Sequence, residues 1–205
     1  VFLDVDDFGR EQYLTNIAWS PASDYIYVQV LDRAQKHMKL NQYSAKTGEF
    51  VKTLLEEQNE RYIEPLTPIV FLKNDPYRTN NRDGYFSLYL CEAATGKVLK
   101  RLTDVNADVE MVGQDDKFVY YTSAEVSPVD NHLFRVEVKS GKKTRLTQAE
   151  GWHKVTMSGD MKYFVDNYSS LKVPRVILLV QNDGKKVKEL LKAEDPTKDY
   201  NFGEI

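Results

Sequence analysis

The 205-residue sequence has few of the residues that form disulfides, and it has no long apolar run. Cys91 is the only cysteine, so no intrachain disulfide can form, which is compatible with the cytosol and with a disulfide-free periplasmic protein. No segment approaches the roughly 18 consecutive apolar residues of a transmembrane helix. The longest apolar run, VPRVILLVQ at 173–181, has the length of one strand, so no membrane span is predicted. The acidic opening VFLDVDDFGREQ lacks the pattern of a secretory signal.

Residue patterns that support catalysis are also absent from the sequence. The G-x-S-x-G motif, which exposes a nucleophilic serine on a strand-to-helix turn, does not occur. The three histidines, His37, His132 and His153, lie in or beside predicted strands or loops without a paired nucleophile, so we predict that none is catalytic. There is no Cys/His spacing of a zinc site and no glycine-rich phosphate loop. The sequence therefore predicts no catalytic, cofactor-binding or metal-binding residue, and no cofactor.

Several local motifs have a structural explanation. In DVDDFG, Asp4 and Asp6 fit a calcium loop, but Phe8 and Thr15 stand where further oxygen ligands are needed, so a solvated turn is predicted. Asn167 begins an N-glycosylation acceptor, NYS, which has meaning only in a eukaryotic secretory pathway. The net charge of −3 gives no reason to expect nucleic acid or an anionic membrane as a partner. Cys91 follows a strand-like run and is predicted to be buried, and the basic clusters are predicted to be solvated turns, at residues 139–145 and 184–188.

Four segments repeat one pattern, in which an apolar strand, a turn with glycine and a more basic strand follow one another. The turn glycines, which are 48, 45 and 43 residues apart, are Gly48, Gly96, Gly141 and Gly184. Glycine suits such hairpin turns because it adopts left-handed backbone without steric cost. Another pair of strand-like runs precedes each turn, such as TNIAWS and DYIYVQVL joined by PAS. Each repeat is therefore predicted to contain four strands.

Four short strands every 40–50 residues are typical of a β-propeller blade. We predict an all-β fold in which residues 1–205 form one partial β-propeller of about four four-stranded blades. The opening VFLDVDD reads as one isolated strand that precedes the first blade. Four blades are few for a closed ring, so we expect the chain to be part of a longer protein. An open arc would expose blade faces, which would favour self-association.

The second repeat is irregular, because only YRTN at 77–80 is available for its second strand. The matching runs in the other repeats are longer and more apolar. Either this strand is very short, or a few residues are absent from the sequence.

The amino-acid sequence of the repeats resembles that of the N-terminal propeller of dipeptidyl peptidase IV, in the prolyl oligopeptidase class of serine peptidases. The resemblance rests on YLTNIAWSPASDYIYVQVLDRAQKHMKLNQYSAKTGEFVKTLLEE, and on YIEPLTPIVFLKND, NRDGYFSLYL, ATGKVLKRLT, VYYTSAEVSP, HLFRVEV and KVPRVILLV. It covers nearly the whole chain and is strongest for bacterial members. It implies an eight-bladed propeller followed by an α/β-hydrolase domain that carries Ser, Asp and His and removes X-Pro or X-Ala dipeptides.

The family's acidic pair, which binds the substrate's amino group, and its helper arginine belong to an early blade that has no match here. Glu56 and Glu57 end an outer strand and are predicted to point to solvent, so the role is not transferred to them. Glu64 is predicted to start an inner strand, where lining of a central channel is a simpler role than recognition.

Two functions follow as hypotheses. In the first, the chain is a non-catalytic propeller portion of a dipeptidyl peptidase IV-like exopeptidase, and it gates and shapes the peptide-binding cavity. Its partners are the C-terminal hydrolase domain and short peptides, and the chain alone is expected to be inactive. In the second, it is a stand-alone propeller scaffold for a protein or glycan partner. The resemblance implies a periplasmic or cell-envelope location.

Overall fold

The computed structural model describes residues 2–65, 67–72, 75–80 and 84–200, with backbone only for residue 72 and residues 75–80. The described residues form sixteen β-strands and no helix, which confirms the predicted all-β class. The chain divides into two compact units, residues 1–104 and 105–205. Each unit contains two four-stranded sheets, and in every sheet consecutive strands pair antiparallel in chain order.

The first unit opens with a sheet of long strands, which are β1 (Gln12–Trp19), β2 (Tyr25–Asp32), β3 (His37–Ser44) and β4 (Phe50–Gln58). The central strand β2 directs apolar side chains to both faces, and most residues of β2 and β3 are buried. One face packs around Tyr27, Leu31 and Met38, and the other packs around Val28 and Val30. Burial on both sides is the expected state of a sheet that lies between other layers.

The second sheet of this unit is shorter, with β5 (Val70–Leu72), β6 (Asp75–Asn80), β7 (Ser87–Cys91) and β8 (Val98–Arg101). The strand that the sequence places at 77–80 begins two residues earlier, at Asp75, and has the same length as the strand Phe118–Ser123 in the second unit. Residues 73, 74 and 81–83, on either side of β6, lie outside the described residues.

The second unit contains the third and fourth sheets. The third consists of β9 (Val109–Gln114), β10 (Phe118–Ser123), β11 (His132–Glu137) and β12 (Lys143–Arg145). The fourth consists of β13 (Trp152–Met157), β14 (Tyr163–Ser169), β15 (Val176–Gln181) and β16 (Lys186–Lys192). Their facing surfaces share one apolar core, built on Tyr120, Leu133, Leu146, Phe164 and Val180.

Each predicted glycine turn closes the outer hairpin of one sheet. All four glycines have positive φ, with values of 81°, 70°, 76° and 92° along the chain. In the first three turns the glycine N–H donates to the carbonyl four residues earlier, and Gly184 donates to Gln181, three residues earlier. The predicted repeat is therefore a repeat of backbone geometry as well as of sequence.

The predicted opening strand has no partner in the described chain, where residues 2–6 form no ladder. Leu3, Val5 and Phe8 instead pack against Val28 and the other apolar residues of that face of the first sheet. Side-chain bonds replace the missing ladder. Gln12 Nε2 donates to the Val5 carbonyl at 2.9 Å, and the Phe8 N–H donates to Gln12 Oε1 at 3.1 Å.

Candidate functional site

A cavity of about 760 Å³ lies in the second unit, where three connections meet at the same end of their sheets. The connections are β10–β11, β12–β13 and β14–β15. Its apolar wall includes Val129, Trp152 and Leu171, which are 76%, 54% and 90% exposed. Such exposed apolar side chains around a concave surface favour binding of an apolar group. The lining residues are Val129, Asp130, Ala149, Glu150, Gly151, Trp152, Tyr168, Ser169, Ser170, Leu171, Lys172 and Val173.

Backbone hydrogen bonds between the third and fourth sheets fix this end of the cavity. Asn131 and Trp152 form an isolated parallel bridge. The Asn131 N–H donates to the Gly151 carbonyl at 3.1 Å, and the His153 N–H donates to the Asn131 carbonyl at 3.0 Å. Gly151 has φ +134°, and a Cβ there would overlap the Ser169 carbonyl oxygen, so the close approach of these connections requires glycine.

A buried polar cluster lies behind the cavity wall. His153, on β13, is 1% exposed, and its Nδ1 lies 2.8 Å from Oδ1 of Asp166, which is itself 3% exposed. The other ring nitrogen, Nε2, lies 2.8 Å from the Ala149 carbonyl oxygen. Tyr168 stacks on the His153 ring with centroids 4.6 Å apart. Because both nitrogens of His153 are engaged, this imidazole is not free to act as a general base toward a ligand in the cavity.

His132, at the start of β11, adds a second imidazole to the cluster. Its ring centroid lies 5.0 Å from that of His153. Thr147 Oγ1 accepts the Leu133 N–H at 3.0 Å and lies within hydrogen-bond distance, 3.1 Å, of His132 Nδ1. Burial, and then the neighbouring His153, lower the pKa of His132. His132 is therefore neutral at neutral pH.

The third histidine is apart from this cluster, in the first unit. His37 Nε2 lies 2.5 Å from Glu56 Oε1, and the His37 ring makes an edge contact with Phe8 at 4.8 Å. Glu56 lies on the outer strand β4 and its side chain is 50% exposed, as expected from the sequence, whereas Glu57 is half-buried. These residues form a hydrogen-bonded surface pair beside the opening segment.

Glu64 differs from its predicted position. It lies in the irregular connection before β5, which begins only at Val70, and its side chain is exposed. The prediction that Glu64 starts an inner strand is therefore wrong, because the proline that follows it and the proline at 68 keep this segment out of a ladder. A second apolar depression, of about 460 Å³, lies nearby and is lined by Ile17, Ala18, Trp19, Pro21, Pro68, Ile69, Val70 and Phe71.

The opening acidic motif has a structural role that the sequence does not reveal. Asp4 and Asp6 are exposed, as predicted for a turn. Asp7, by contrast, accepts a hydrogen bond from Asn41 Nδ2 at 2.7 Å and lies 3.3 Å from Lys39 Nζ. Within the described part of the chain, no group of three or more His, Cys, Asp or Glu side chains could hold a metal ion.

Two remaining motifs lie in strands. Cys91 is buried in β7, as predicted. Asn167, which begins the NYS motif, lies in β14, and its Oδ1 accepts a bond from Arg175 Nε at 3.1 Å. In the residues that the structure covers, no helix has the length and apolar character of a membrane span.

The polar cluster is the feature that reasoning from sequence missed. One signal was available, because Asp166 lies between Phe164 and Tyr168 on the same side of a strand. A carboxylate on an otherwise aromatic face predicts a buried partner. The partner itself depends on strand register, which pairs Val155 with Asp166 and His153 with Tyr168.

Comparison with known proteins places these sheets in a family. Residues 2–175 match the profile of the dipeptidyl peptidase IV (DPP IV) N-terminal region. A Bacteroides ovatus protein assigned as a dipeptidyl aminopeptidase IV superposes with a TM-score of 0.86 at 33% identity, over 98% of this chain and 32% of that protein. Dipeptidyl peptidase 4 of Porphyromonas gingivalis superposes with a TM-score of 0.82 at 26% identity, over 93% of this chain and 27% of that enzyme.

The chain thus spans about a third of the length of these two bacterial proteins. The match to the family profile extends from the opening segment to the start of β15. The four sheets are blades of the family's β-propeller, as predicted, and the chain belongs to the dipeptidyl peptidase IV N-terminal region family.

Proposed function

We propose that this chain is the non-catalytic propeller portion of a dipeptidyl peptidase IV-like serine exopeptidase. The observation that carries the proposal is the match of residues 2–175 to the DPP IV N-terminal region, together with 33% identity to a bacterial relative over 98% of the chain. The absence of a G-x-S-x-G motif from the sequence fits a portion that carries no nucleophile. The hydrolysis of X-Pro or X-Ala peptides is then the task of a C-terminal hydrolase domain.

In this proposal the chain limits which molecules enter the peptide-binding cavity and contacts the peptides that enter. Within each unit the two packed sheets are stiff, because their apolar cores are buried and close-packed. As part of the complete propeller they would exclude folded proteins and admit short peptides. The apolar cavity in the second unit, with Trp152 and Leu171 exposed on its rim, offers contacts for a passing peptide side chain.

The first test is the reading frame on both sides of this segment, followed by an activity assay. We expect a G-x-S-x-G motif with later Asp and His after residue 205, and additional blades before residue 1. The complete protein should release dipeptide from a Gly-Pro chromogenic substrate, whereas the 205-residue chain should not. Release by the chain alone, or a reading frame without these motifs, would contradict the proposal. A scaffold that binds a partner would then be the better explanation.

The gating role needs a test that separates it from catalysis. In the complete protein, Trp152→Ala and Leu171→Ala should change the KM for long peptides but leave the kcat for a dipeptide chromogenic substrate unchanged. Val187→Ala, on the outer strand β16 where Val187 is 49% exposed, serves as the matched control. Equal KM values for all variants on all peptide lengths would remove the cavity from the gating role.

Two further expectations accompany this proposal. The family resemblance favours the periplasm or cell envelope, which fractionation of the source cells would test.

Self-association of the chain also stays a prediction. On the face of the fourth sheet opposite its core, Ile177 pairs with Leu191 and Val165 pairs with Leu179, all at least partly exposed. Light scattering that shows a monomer at high protein concentration would contradict it.

A further inference from the structure

The lining of the cavity in the second unit carries charge as well as apolar surface. Among the described residues that line it, Asp130 and Glu150 supply carboxylates and Lys172 supplies the one ammonium group. Glu150 and Lys172 are exposed, and Asp130 is half-buried. Within the described part of the chain, none of these three side chains forms an ion pair. The charges of this lining are therefore available to a ligand, and their sum is negative.

Asp130 is held in place beside the aromatic part of the wall. Its Oδ1 accepts the Gly151 N–H at 2.8 Å, and its own N–H donates to the Ser127 carbonyl at 3.1 Å. The next residue, Asn131, forms the parallel bridge with Trp152. Because the Gly151 bond uses only Oδ1, the second carboxylate oxygen of Asp130 can accept from a ligand without disturbing the connection.

We propose that this cavity binds a peptide segment in which a lysine or arginine side chain follows an apolar side chain. The inference rests on the proposed function for the class of ligand, and it names which peptides the cavity favours. The apolar side chain packs on Val129 and Leu171, which are 76% and 90% exposed. The cationic head group lies against the two carboxylates, and the exposed indole of Trp152 adds attraction for a cation and apolar surface for its stem.

The volume and the surrounding charges favour this ligand. A cavity of about 760 Å³ lies within the range of about 300–1,000 Å³ that is usual for sites enclosing small ligands, so it can hold a few residues of extended peptide. Behind the wall, burial lowers the pKa of His132, so that ring adds no positive charge at neutral pH. Arg145, at the end of β12, is not a lining residue, and its guanidinium donates to Gln148 Oε1 at 3.1 Å. Lys172 is thus the one lining cation, among the described residues, that opposes a basic peptide.

Binding to the 205-residue chain tests the inference without a hydrolase domain. The sequence has two tryptophans, so Trp19→Phe leaves Trp152 as the single emitter. The probes are acetyl-Gly-Pro-Leu-Arg-amide and the same peptide with citrulline, a neutral analogue, in place of arginine. Acetylation and amidation leave the arginine as the only charge. The arginine peptide should change Trp152 emission with a Kd about fivefold lower than that of the citrulline peptide. This ratio should fall as salt is added, because salt screens exposed charges.

Charge-removing variants assign the preference to the cavity. Asp130→Asn keeps an oxygen that can accept the Gly151 N–H, and Glu150→Gln changes an exposed side chain, so both conserve shape. Together they should reduce the ratio of Kd values to about one without changing the Kd of the citrulline peptide. Glu150→Gln alone should reduce the ratio about twofold, and Lys172→Gln should increase it. Asp116→Asn is the matched control, because this exposed carboxylate lies in the β9–β10 turn, at the opposite end of the third sheet.

Several outcomes would overturn the inference. Equal Kd values for the two peptides would do so, as would a preference that survives Asp130→Asn with Glu150→Gln. In the complete protein, kcat/KM for Gly-Pro-Leu-Arg should exceed that for its citrulline analogue, and the same double variant should remove the difference. A complete protein without peptidase activity would contradict the proposed function alone, since binding to the chain decides this inference. Binding by the chain but by no form of the complete protein would mean that another domain covers the cavity, and a peptide would not be its ligand.

Discussion

Gly96 lies against the backbone of Leu54, so that the outer hairpin of the second sheet touches the outer strand of the first. A Cβ built on Gly96 would overlap the Leu54 carbonyl oxygen and would lie 2.7 Å from its carbonyl carbon. The residue also has φ +70°. Space and backbone conformation therefore both require glycine at this contact.

Gly96→Ala should destabilise the chain by at least about 3 kcal/mol, since it adds a backbone clash to the cost of a left-handed alanine. Gly9 provides the control, because it has φ +69° and a Cβ at that position would meet nothing within 4 Å. Gly9→Ala should cost only about 1 kcal/mol. Urea denaturation of both variants measures the difference. Similar losses for the two would mean that the contact with Leu54 adjusts freely.

Removal of the hydroxyl group should change the stability of the chain differently at the two adjacent tyrosines of β10, Tyr120 and Tyr121. Tyr120 donates to Asp115 at 2.7 Å and accepts from Asn182 at 3.3 Å, and burial raises its pKa to about 12. Tyr121 is fully buried, and its hydroxyl has no hydrogen-bond partner among the described residues. Tyr120→Phe should therefore cost about 1 kcal/mol, while Tyr121→Phe should be neutral or stabilising. A loss of stability in Tyr121→Phe would reveal a partner for that hydroxyl.

The opening segment should depend on one aspartate. Asp7→Ala removes the bond to Asn41 and the ion pair with Lys39, which should cost about 2 kcal/mol because Asn41 is left buried without this acceptor. Limited proteolysis should then cleave within residues 2–10 faster than in the unmodified chain. Asp6→Ala, at an exposed position, should leave both stability and cleavage unchanged. Equal cleavage of the two variants would argue that apolar packing alone holds the segment.

His132 should make the chain sensitive to acid. Burial, followed by His153, lowers its folded pKa below the unfolded value of about 6.5. Between those two values the unfolded chain binds more protons, so this contribution is present above pH 6.5 and is lost as pH falls below it. His132→Asn should flatten the decline of stability between about pH 6.5 and pH 5, and His37→Asn should not. An unchanged slope in His132→Asn would assign the acid sensitivity to carboxylates instead.

The repeat of four strands was accessible from sequence because its signals are local. Each outer hairpin needs a residue with positive φ, which glycine adopts without steric cost. Gly48, Gly96, Gly141 and Gly184 all have positive φ. The resemblance to the family's sequences supported the prediction of a propeller. The opening segment forms no ladder among the described residues, because alternation of apolar and acidic residues favours a strand but does not supply a partner strand. The prediction that Glu64 starts a strand was wrong because the apolar run after it is a strand signal, whereas the prolines at 65 and 68 keep this segment out of a ladder.

The candidate site was much harder to predict, since it depends on distances between sheets. Asp166 on an aromatic face was a visible signal, but His132 and His153 are 21 positions apart in sequence and meet only when β11 lies beside β13. The acceptor for His153 Nε2 is a backbone carbonyl, for which a sequence carries no signal. The same holds for Asp7, whose partners Lys39 and Asn41 lie on β3.

Because every sheet uses four consecutive strands in chain order, each blade can be completed from one short stretch of newly made chain. Strand pairs close over tight hairpins, so little loop entropy is lost before the ladder forms. During synthesis the first sheet can assemble while the last is still inside the ribosome. Only its apolar faces must wait for a neighbour, and that interval is when the nascent chain most needs protection from aggregation.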